Sequence, residues 1–172
     1  MSRETLRIPG PTPVPPEVVA AMGREMISHR GAEFRAFYLE LLGLARRAHR
    51  TEGDVLIWPG SGSAGWESVV VNLFSPGDQV LATVCGDFGH RFAGVAETFG
   101  LDVRRLEVPW GTAVTPAALT AALNEHTDVK AVFLTHNETS TGITNPLPEL
   151  ARLVNDHGAL TIVDAVSSAG GL

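Results

Sequence analysis

The amino-acid sequence predicts an α/β fold with three layers, in which helices cover both faces of a mostly parallel β-sheet. The first observation is a regular alternation: from residue 54 onward, short apolar runs alternate with stretches of helical pattern. The second is that these runs are almost continuously apolar, as is typical of strands buried on both faces. The third is the presence of turn signals such as "SPGD" between the elements. A chain of 172 residues can form one domain with a substantial core.

The first part of the chain precedes this alternation. The segment "RIPGPTPVPPEV" contains too much proline for a helix or a central strand, so residues 1–15 are predicted to form an extended arm. Pro15 and Pro16 suit the first turn of a helix that runs through "EVVAAMGREM". The amphipathic stretch "AEFRAFYLELLGLARRAHR" predicts a second, longer helix. No linker interrupts the chain after the arm, so residues 16–172 are predicted to belong to one large domain.

The remaining elements follow in order. Strands are predicted at "DVLIW", "QVLATV", "LDVRRLEV", "KAVFLT" and "ALTIVD". Helices are predicted at "SAGWESVVVNLF", "FGHRFAGVAETF", "PAALTAALNEH" and "LPELARLVNDHG". Thr115 and Pro116 form a favourable helix start, with a capping hydroxyl and then proline at the first helical position. Sheets of this kind bind ligands beyond the carboxyl ends of their strands, so the residues that follow each strand are the candidates for function.

Charge and composition argue against several classes of protein. A net charge of −6 is unfavourable for a protein that neutralises the phosphate backbone of a nucleic acid. No apolar window is long enough to cross a bilayer, so we expect no membrane partner. The N-terminal "MSRETLRIPGPTP" lacks the apolar core of a signal peptide, and Cys85 has no second cysteine to pair with. These two features favour a reducing, cytoplasmic location.

The turn "GSGSAGWE" after the first predicted strand is a candidate phosphate site. Small residues allow a tight turn, the following helix offers unpaired N–H groups to an anion, and Ser61 and Ser63 add hydroxyl donors. The six residues from Gly60 to Gly65 also match the dinucleotide pattern G-x-G-x-x-G. In that alternative, Asp87 would bind the ribose of a nicotinamide cofactor. A helix-start turn without any ligand is the third possibility.

Three more strand ends carry polar or aromatic residues. Phe88 follows a strand on a glycine-flanked turn, where its ring either contacts a flat ligand or packs in the core. The loop "HNETSTG" is rich in hydrogen-bonding groups, but its His136 and Glu138 lack a recognised metal-ligand spacing. Asp164 closes the last apolar run, either as a turn residue or as a buried carboxylate that needs a cationic partner.

Together these features suit a flat, cationic, phosphorylated ligand, and pyridoxal 5'-phosphate has those properties. Its pyridine nitrogen acts as an electron sink only when protonated, and an adjacent carboxylate such as Asp164 maintains that state. The sequence therefore predicts pyridoxal 5'-phosphate as the cofactor, with a small-molecule substrate.

The same motifs resemble those of a known family, the class V aminotransferases, and most closely its alanine–glyoxylate and serine–glyoxylate branch. The matching segments are "PGPTPVP", "PGSGSAGWE", "SPGD", "GDFGHRFA", "THNETSTG" and "IVDAVSSAGG", in the order found in that family. The resemblance covers essentially the whole chain. It implies the large domain of a fold-type I enzyme that uses pyridoxal 5'-phosphate, with a mainly parallel sheet, and a smaller C-terminal domain. It also implies homodimers with active sites at the subunit interface.

The resemblance assigns cofactor contacts to the first two strand ends. Ser61 and Gly62 match the pair that binds the cofactor phosphate, and Ser63 occupies a third contact position. Phe88 matches the aromatic residue that stacks on the pyridine ring, where many relatives carry tryptophan. These residues are therefore expected to hold the phosphate and one face of the ring.

The resemblance also assigns roles to residues from the other segments. Thr139 matches a hydroxyl near the pyridoxal ring oxygen or the substrate. Asp164 matches the catalytic partner of the pyridinium nitrogen, and Val166 the residue on the opposite ring face. Gly10 matches a turn that approaches the substrate carboxylate.

The Schiff-base lysine of the family does not occur in these 172 residues. The resemblance places it beyond Asp164, in a serine-glycine-serine-glutamine-lysine stretch, and Lys130 is the one lysine of the chain. Because Lys130 opens the strand "KAVFLT", it is predicted to be a surface residue at the opposite end of the sheet. The chain is therefore expected to be an incomplete large domain, truncated before the small domain, inactive alone and with apolar surface uncovered.

The implied reaction transfers an amino group from an alanine- or serine-type donor to a 2-oxo acid such as glyoxylate or pyruvate. The sequence leaves three alternatives open. One is a lyase or desulfurase of the same fold, although Cys85 closes an apolar run and is expected to be buried. Another is the nicotinamide-dependent oxidoreductase based on residues 60–65. The last is a non-catalytic fragment that only mediates dimer contacts.

Overall fold

A computed structural model describes residues 6–172, and the chain divides into two compact units. The first unit is Met1–Trp58, of which residues 6–58 are described, and the second is Pro59–Leu172. The first unit contains two helices, whereas the second contains the β-sheet and four helices. In the described part of the chain, no helix combines the length and the apolar character that a membrane span requires.

The described part of the first unit contains an irregular segment followed by two helices, and residues 1–5 of the predicted arm lie outside the described residues. Residues 6–15 have no regular secondary structure, and helix α1 follows at Pro16–Met22. The predicted helix extends to Met26, but the observed helix ends at Met22, because the next residue, Gly23, is a poor helix former. Helix α2 at Ala32–His49 agrees with the prediction. No residue of α1 or α2 is buried.

The strand predicted at "DVLIW" is wrong. Residues 54–58 form no strand, and no described strand pairs with them. A strand requires a hydrogen-bonded neighbour for its backbone N–H and C=O groups, and an apolar pattern cannot reveal whether that neighbour exists. Leu56, at the centre of the segment, is 85% exposed.

The second unit contains a four-stranded parallel sheet. Its strands are β1 (Gln79–Val84), β2 (Asp102–Glu107), β3 (Ala131–Thr135) and β6 (Leu160–Asp164), in the order β2-β1-β3-β6. Every neighbouring pair is parallel, so their carboxyl ends lie at the same edge. Two further strands, β4 (Asn137–Glu138) and β5 (Ile143–Thr144), form a short antiparallel pair directly after β3. This pair replaces the loop predicted at "HNETSTG".

Four helices belong to the second unit: one precedes β1, and the other three connect strands. They are α3 (Gly62–Leu73), α4 (Asp87–Thr98), α5 (Pro116–Glu125) and α6 (Leu147–His157). The predicted cap of α5 is confirmed, since the Thr115 hydroxyl accepts a hydrogen bond from the backbone N–H of Ala118 at 3.2 Å. Helix α6 ends at His157, and the C-cap residue Gly158 adopts the left-handed conformation with φ 89°.

Two hydrophobic clusters cover the two faces of the sheet. Alternate residues of β3 belong to different clusters: Val132 and Leu134 to one, Ala131 and Phe133 to the other. The first cluster includes residues of α5 and α6, and the second includes residues of α3 and α4. The sheet is therefore buried between two helical layers, which confirms the predicted α/β fold. At the outer edge, Leu160 of β6 remains 53% exposed.

The stacked rings of Phe92 and Phe133 provide a test of this core. Their centroids are 4.4 Å apart and both side chains are 2% exposed. Phe133→Ala is expected to lower the free energy of unfolding by about 3–5 kcal/mol, because the cavity left in a well-packed core cannot collapse fully. Urea denaturation measures this change. Phe99→Ala removes a ring that is 39% exposed and should cost much less; equal losses for the two variants would contradict the packing described.

Candidate functional site

The carboxyl ends of β1, β3 and β6 and the start of α3 surround a cavity of about 220 Å³. The segments that follow the three strands meet there because the strands are parallel. The cavity is lined by Ser61, Gly62, Ser63, Trp66, Phe88, Asn137, Thr139, Asp164, Val166 and Ser167. All seven residues predicted to contact a cofactor are among them. Gly10, the predicted substrate contact, lies in the first unit and is exposed.

The first turn of α3 forms one part of the lining. Ser61 precedes the helix in an extended conformation, and its hydroxyl accepts a hydrogen bond from the backbone N–H of Ala64 at 3.4 Å. Among the described residues, the N–H groups of Gly62 and Ser63 have no acceptor, which leaves them available to an anion. A Cβ added to Gly62 would lie 3.1 Å from Cγ2 of Val166, so this close approach favours glycine.

An aromatic wall connects the cavity to the core. The Phe88 ring meets Trp66 edge-on, with centroids 6.4 Å apart, and Trp66 stacks on Phe92 at 5.3 Å. The Phe88 ring therefore packs, through Trp66, against the hydrophobic core. The guanidinium group of Arg91 lies 5.6 Å from the centroid of the Phe88 ring, and its Nη2 is 3.5 Å from Oγ of Ser63. A positive charge thus lies beside the serine turn.

Asp164 is buried at the end of β6, with 9% of its surface exposed. Its Oδ1 accepts a hydrogen bond from the backbone N–H of Val166 at 3.0 Å. In residues 6–172, no basic side chain forms an ion pair with this carboxylate. A buried carboxylate with so little compensation is costly, so the site is complementary to a cationic group. The protonated pyridine nitrogen of pyridoxal 5'-phosphate is such a group.

The structure gives Glu138 a hydrogen-bonding role that the sequence did not predict. Its side chain is fully buried, and its carboxylate accepts hydrogen bonds from the backbone N–H groups of Phe88 and Gly89 at 3.3 and 3.0 Å. The sequence signal was an acidic residue among small and hydroxyl residues directly after a strand. Its partners lie about 50 residues away in the chain, so the sequence pattern could not identify them.

The antiparallel pair of β4 and β5 forms a hairpin, and Asn145, which directly follows β5, is a second buried polar residue with a structural role. Its Oδ1 accepts a hydrogen bond from the backbone N–H of Val114 at 2.8 Å, and its Nδ2 donates to the carbonyl of Thr135 at 2.7 Å. The side chain therefore links the hairpin to β3 and to the segment before α5. Because the residue does not line the cavity, this role concerns the scaffold of the site.

Lys130 lies at the opposite end of the sheet from the cavity. It directly precedes β3, is 58% exposed at its side chain and forms an ion pair with Asp78. This hydrogen-bonded ammonium group, together with the backbone N–H of Ser75, holds the pKa of the Asp78 carboxyl below its usual value. Lys130 is thus a surface residue, and it cannot reach a ligand at the carboxyl ends of the strands.

Comparison with known proteins gives consistent matches. The sequence model of the family described as Aminotransferase class-V matches residues 6–172. An uncharacterized aminotransferase of Methanocaldococcus jannaschii is 41% identical over 169 residues, which cover 98% of this chain and 44% of that protein. The serine–glyoxylate aminotransferase of Methylorubrum extorquens is 37% identical over 175 residues, with coverage of 99% and 44%.

A solved structure gives the same result at the level of the fold. The crystal structure of an alanine–glyoxylate aminotransferase from Nostoc sp. superposes with a TM-score of 0.90 at 34% sequence identity. The match covers 100% of this chain and 48% of that chain. The chain therefore spans a little under half the length of the relatives it matches.

The burial of Cys85 can be tested by thiol labelling. The side chain is 1% exposed, and burial raises the pKa of its thiol, so the reactive thiolate is disfavoured. A thiol-specific chromogenic reagent is expected to label Cys85 at least about 100-fold more slowly in the native chain than in urea. The reason is that labelling then requires a local opening of about 3 kcal/mol or more. Rapid native labelling would restore Cys85 as a candidate sulfur carrier.

Proposed function

Because the chain belongs to the class V aminotransferase family, we propose that it forms the cofactor-binding part of an aminotransferase that depends on pyridoxal 5'-phosphate. The observation that carries this proposal is the buried carboxylate of Asp164, which faces the same cavity as the serine turn and the Phe88 ring. The three features match the three parts of the cofactor: a cationic nitrogen, a phosphate and a flat ring. The residues present therefore fit the group.

Each part of the cofactor has proposed ligands in the cavity lining. Ser61, Gly62 and Ser63 bind the phosphate through hydroxyl and backbone N–H donors at the start of α3. Phe88 and Val166 contact the two faces of the ring. These contacts orient the ring and limit the access of water to it.

The polar edge of the ring has two further proposed partners. Thr139 places a hydroxyl near the ring oxygen or the substrate. Asp164 retains a proton on the pyridine nitrogen, because the buried carboxylate stabilises an adjacent cation and disfavours its neutral form. When bound, pyridoxal 5'-phosphate supplies an electron sink for the bond changes at the substrate Cα.

The proposed reaction transfers an amino group from a small amino acid of the alanine or serine type to a 2-oxo acid such as glyoxylate or pyruvate. The names of the relatives support this substrate class, since they include serine–glyoxylate and alanine–glyoxylate aminotransferases. Gly10 is proposed to approach the substrate carboxylate. We further propose a homodimer in the cytoplasm, an arm at residues 1–15 and a cofactor-binding domain at residues 16–172.

Turnover is assigned to a longer protein than these 172 residues. Amino-group transfer needs an amine that holds the cofactor and moves the proton of the substrate Cα, and Lys130 lies at the wrong end of the sheet for this role. The chain spans about 44% of the relatives it matches. We therefore propose that the chain binds the cofactor without covalent attachment and is inactive alone.

The alternative functions have less support. A dinucleotide-binding turn follows directly on a strand, but residues 54–58 before the glycine turn form no strand. Asp87, which would bind the ribose in that alternative, instead forms an ion pair with Arg91 at 3.9 Å. Cys85 is buried, so it is disfavoured as the sulfur nucleophile of a desulfurase.

Exchange of Asp164 tests the nitrogen contact. Pyridoxamine 5'-phosphate is a suitable ligand because it has no aldehyde to react with surface amines, and its fluorescence reports binding. Asp164→Asn is expected to weaken its binding about 10-fold or more, since the cation loses its charged partner, a loss of about 1.4 kcal/mol or more. The free chain should be as stable as before or more stable in urea, because an uncompensated buried charge has been removed. Unchanged affinity in Asp164→Asn would refute the assigned role; Asp156→Asn is the control on an exposed acid.

Exchange of Ser61 tests the phosphate contact. Ser61→Ala is expected to weaken the binding of pyridoxamine 5'-phosphate about 5-fold, the effect of about 1 kcal/mol for one hydrogen bond. The binding of pyridoxamine, which has no phosphate, should not change. Ser61 also caps α3, so Thr115→Ala serves as a control: it removes the equivalent cap of α5 and should reduce stability without changing either affinity. An equal loss for both ligands in Ser61→Ala would contradict a phosphate contact.

A further inference from the structure

The first turn of α4 is capped by side chains from a distant part of the chain. Its N-cap residue, Gly86, has no side chain to accept hydrogen bonds. Instead, the backbone N–H of Asp87 donates to Oγ of Ser140 at 2.9 Å, and those of Phe88 and Gly89 donate to the two carboxylate oxygens of Glu138. Three N–H groups that a helix start normally leaves unpaired are thus satisfied by the hairpin after β3.

The carboxylate of Glu138 is stabilised by donors rather than by a cation. Oγ and the backbone N–H of Ser140 donate to Oε1 at 2.6 and 3.2 Å, in addition to the two N–H groups from α4. Within residues 6–172, Glu138 has no ion-pair partner. All four bonds run toward the carboxylate, and the positive end of the α4 dipole adds to them. Such an arrangement compensates a fully buried charge without an ion pair.

The approach of Glu138 to α4 depends on a glycine. A Cβ added to Gly86 would lie 2.6 Å from Cδ of Glu138 and 2.6 Å from Oγ of Ser140. Any side chain at this position would therefore displace the carboxylate from the helix start.

The two elements joined by Glu138 both contribute to the cavity lining. Phe88, whose backbone N–H donates a hydrogen bond to Glu138, lines the cavity from α4. Thr139, the residue that follows Glu138 in the chain, lines it from the hairpin. We propose that Glu138 is a positioning residue of the cofactor site, which fixes the Phe88 ring and the Thr139 hydroxyl relative to each other. This inference rests on the proposed function, because the benefit of a fixed geometry is realised only when a ligand binds between these groups.

The physical effect is preorganisation. Without the carboxylate, the N–H groups of Phe88 and Gly89 would be left without an acceptor, and the first turn of α4 would fray or shift to find one. A ligand would then have to order the turn as it binds, and that cost would appear as lost affinity. The loss would affect ring contacts, so it should be independent of the phosphate.

The test compares Glu138→Gln with the unaltered chain in titrations with pyridoxamine 5'-phosphate and pyridoxamine, each measured by ligand fluorescence. The amide of glutamine keeps one acceptor oxygen but directs its NH₂ group at the other backbone N–H donor. One of the hydrogen bonds from Phe88 and Gly89 is therefore lost. We expect the affinity of the folded chain for both ligands to fall about 5- to 20-fold, by a similar factor. Thr115→Ala is the control, since the loss of a remote helix cap should lower stability and leave both affinities unchanged.

A folded Glu138→Gln chain with unaltered affinity for both ligands would overturn the inference and give Glu138 a role in stability only. If that variant does not fold, Ser140→Ala decides, because it removes the acceptor of the Asp87 N–H and one donor to Glu138. In that case, a loss of about 3-fold in the affinity for both ligands supports the inference, and unaltered affinity overturns it. Failure of the unaltered chain to bind pyridoxamine 5'-phosphate would instead refute the proposed function, so the two failures are distinguishable.

Discussion

The parallel register of β1, β3 and β6 is the constraint on which the site depends. Thr135 at the end of β3 pairs in register with Asp164 at the end of β6, so the segments that follow these strands emerge side by side. A shift of β3 by one residue would turn each of its side chains to the opposite face of the sheet, so each helical layer would contact the wrong side chains. Because both faces of β3 are buried in separate clusters, such a shift is strongly disfavoured. Packing in the core therefore fixes the relative positions of the segments that form the site.

Two buried carboxylates in the same unit, Glu138 and Asp164, have different environments. Glu138 accepts four hydrogen bonds from the chain itself, whereas Asp164 accepts one. The first charge is compensated before any ligand arrives, and the second is not. The cavity thus combines a lining held in place by internal hydrogen bonds with a buried carboxylate whose charge a bound cation can compensate.

The sequence predicted those features that depend on local pattern. The apolar runs identified all four strands of the sheet, and Thr115 with Pro116 identified the start of α5, because capping and burial act over a few residues. The segment 54–58 misled because a strand also needs a partner. The role of Glu138 could not be predicted because its donors come from residues about 50 positions earlier. Long-range hydrogen bonds, unlike periodicity, leave no trace in a single sequence.

The position of Lys130 has a practical consequence. It is the one lysine of the chain, it is largely exposed, and it lies at the amino ends of the strands, while the cavity lies at their carboxyl ends. Acylating reagents directed at amines would therefore attach a dye, a surface linker or a crosslinker to one side chain, Lys130, far from the ligand, in addition to the α-amino group of the chain. The fold supplies a ready attachment handle for single-molecule or biosensor work, with the binding face left open.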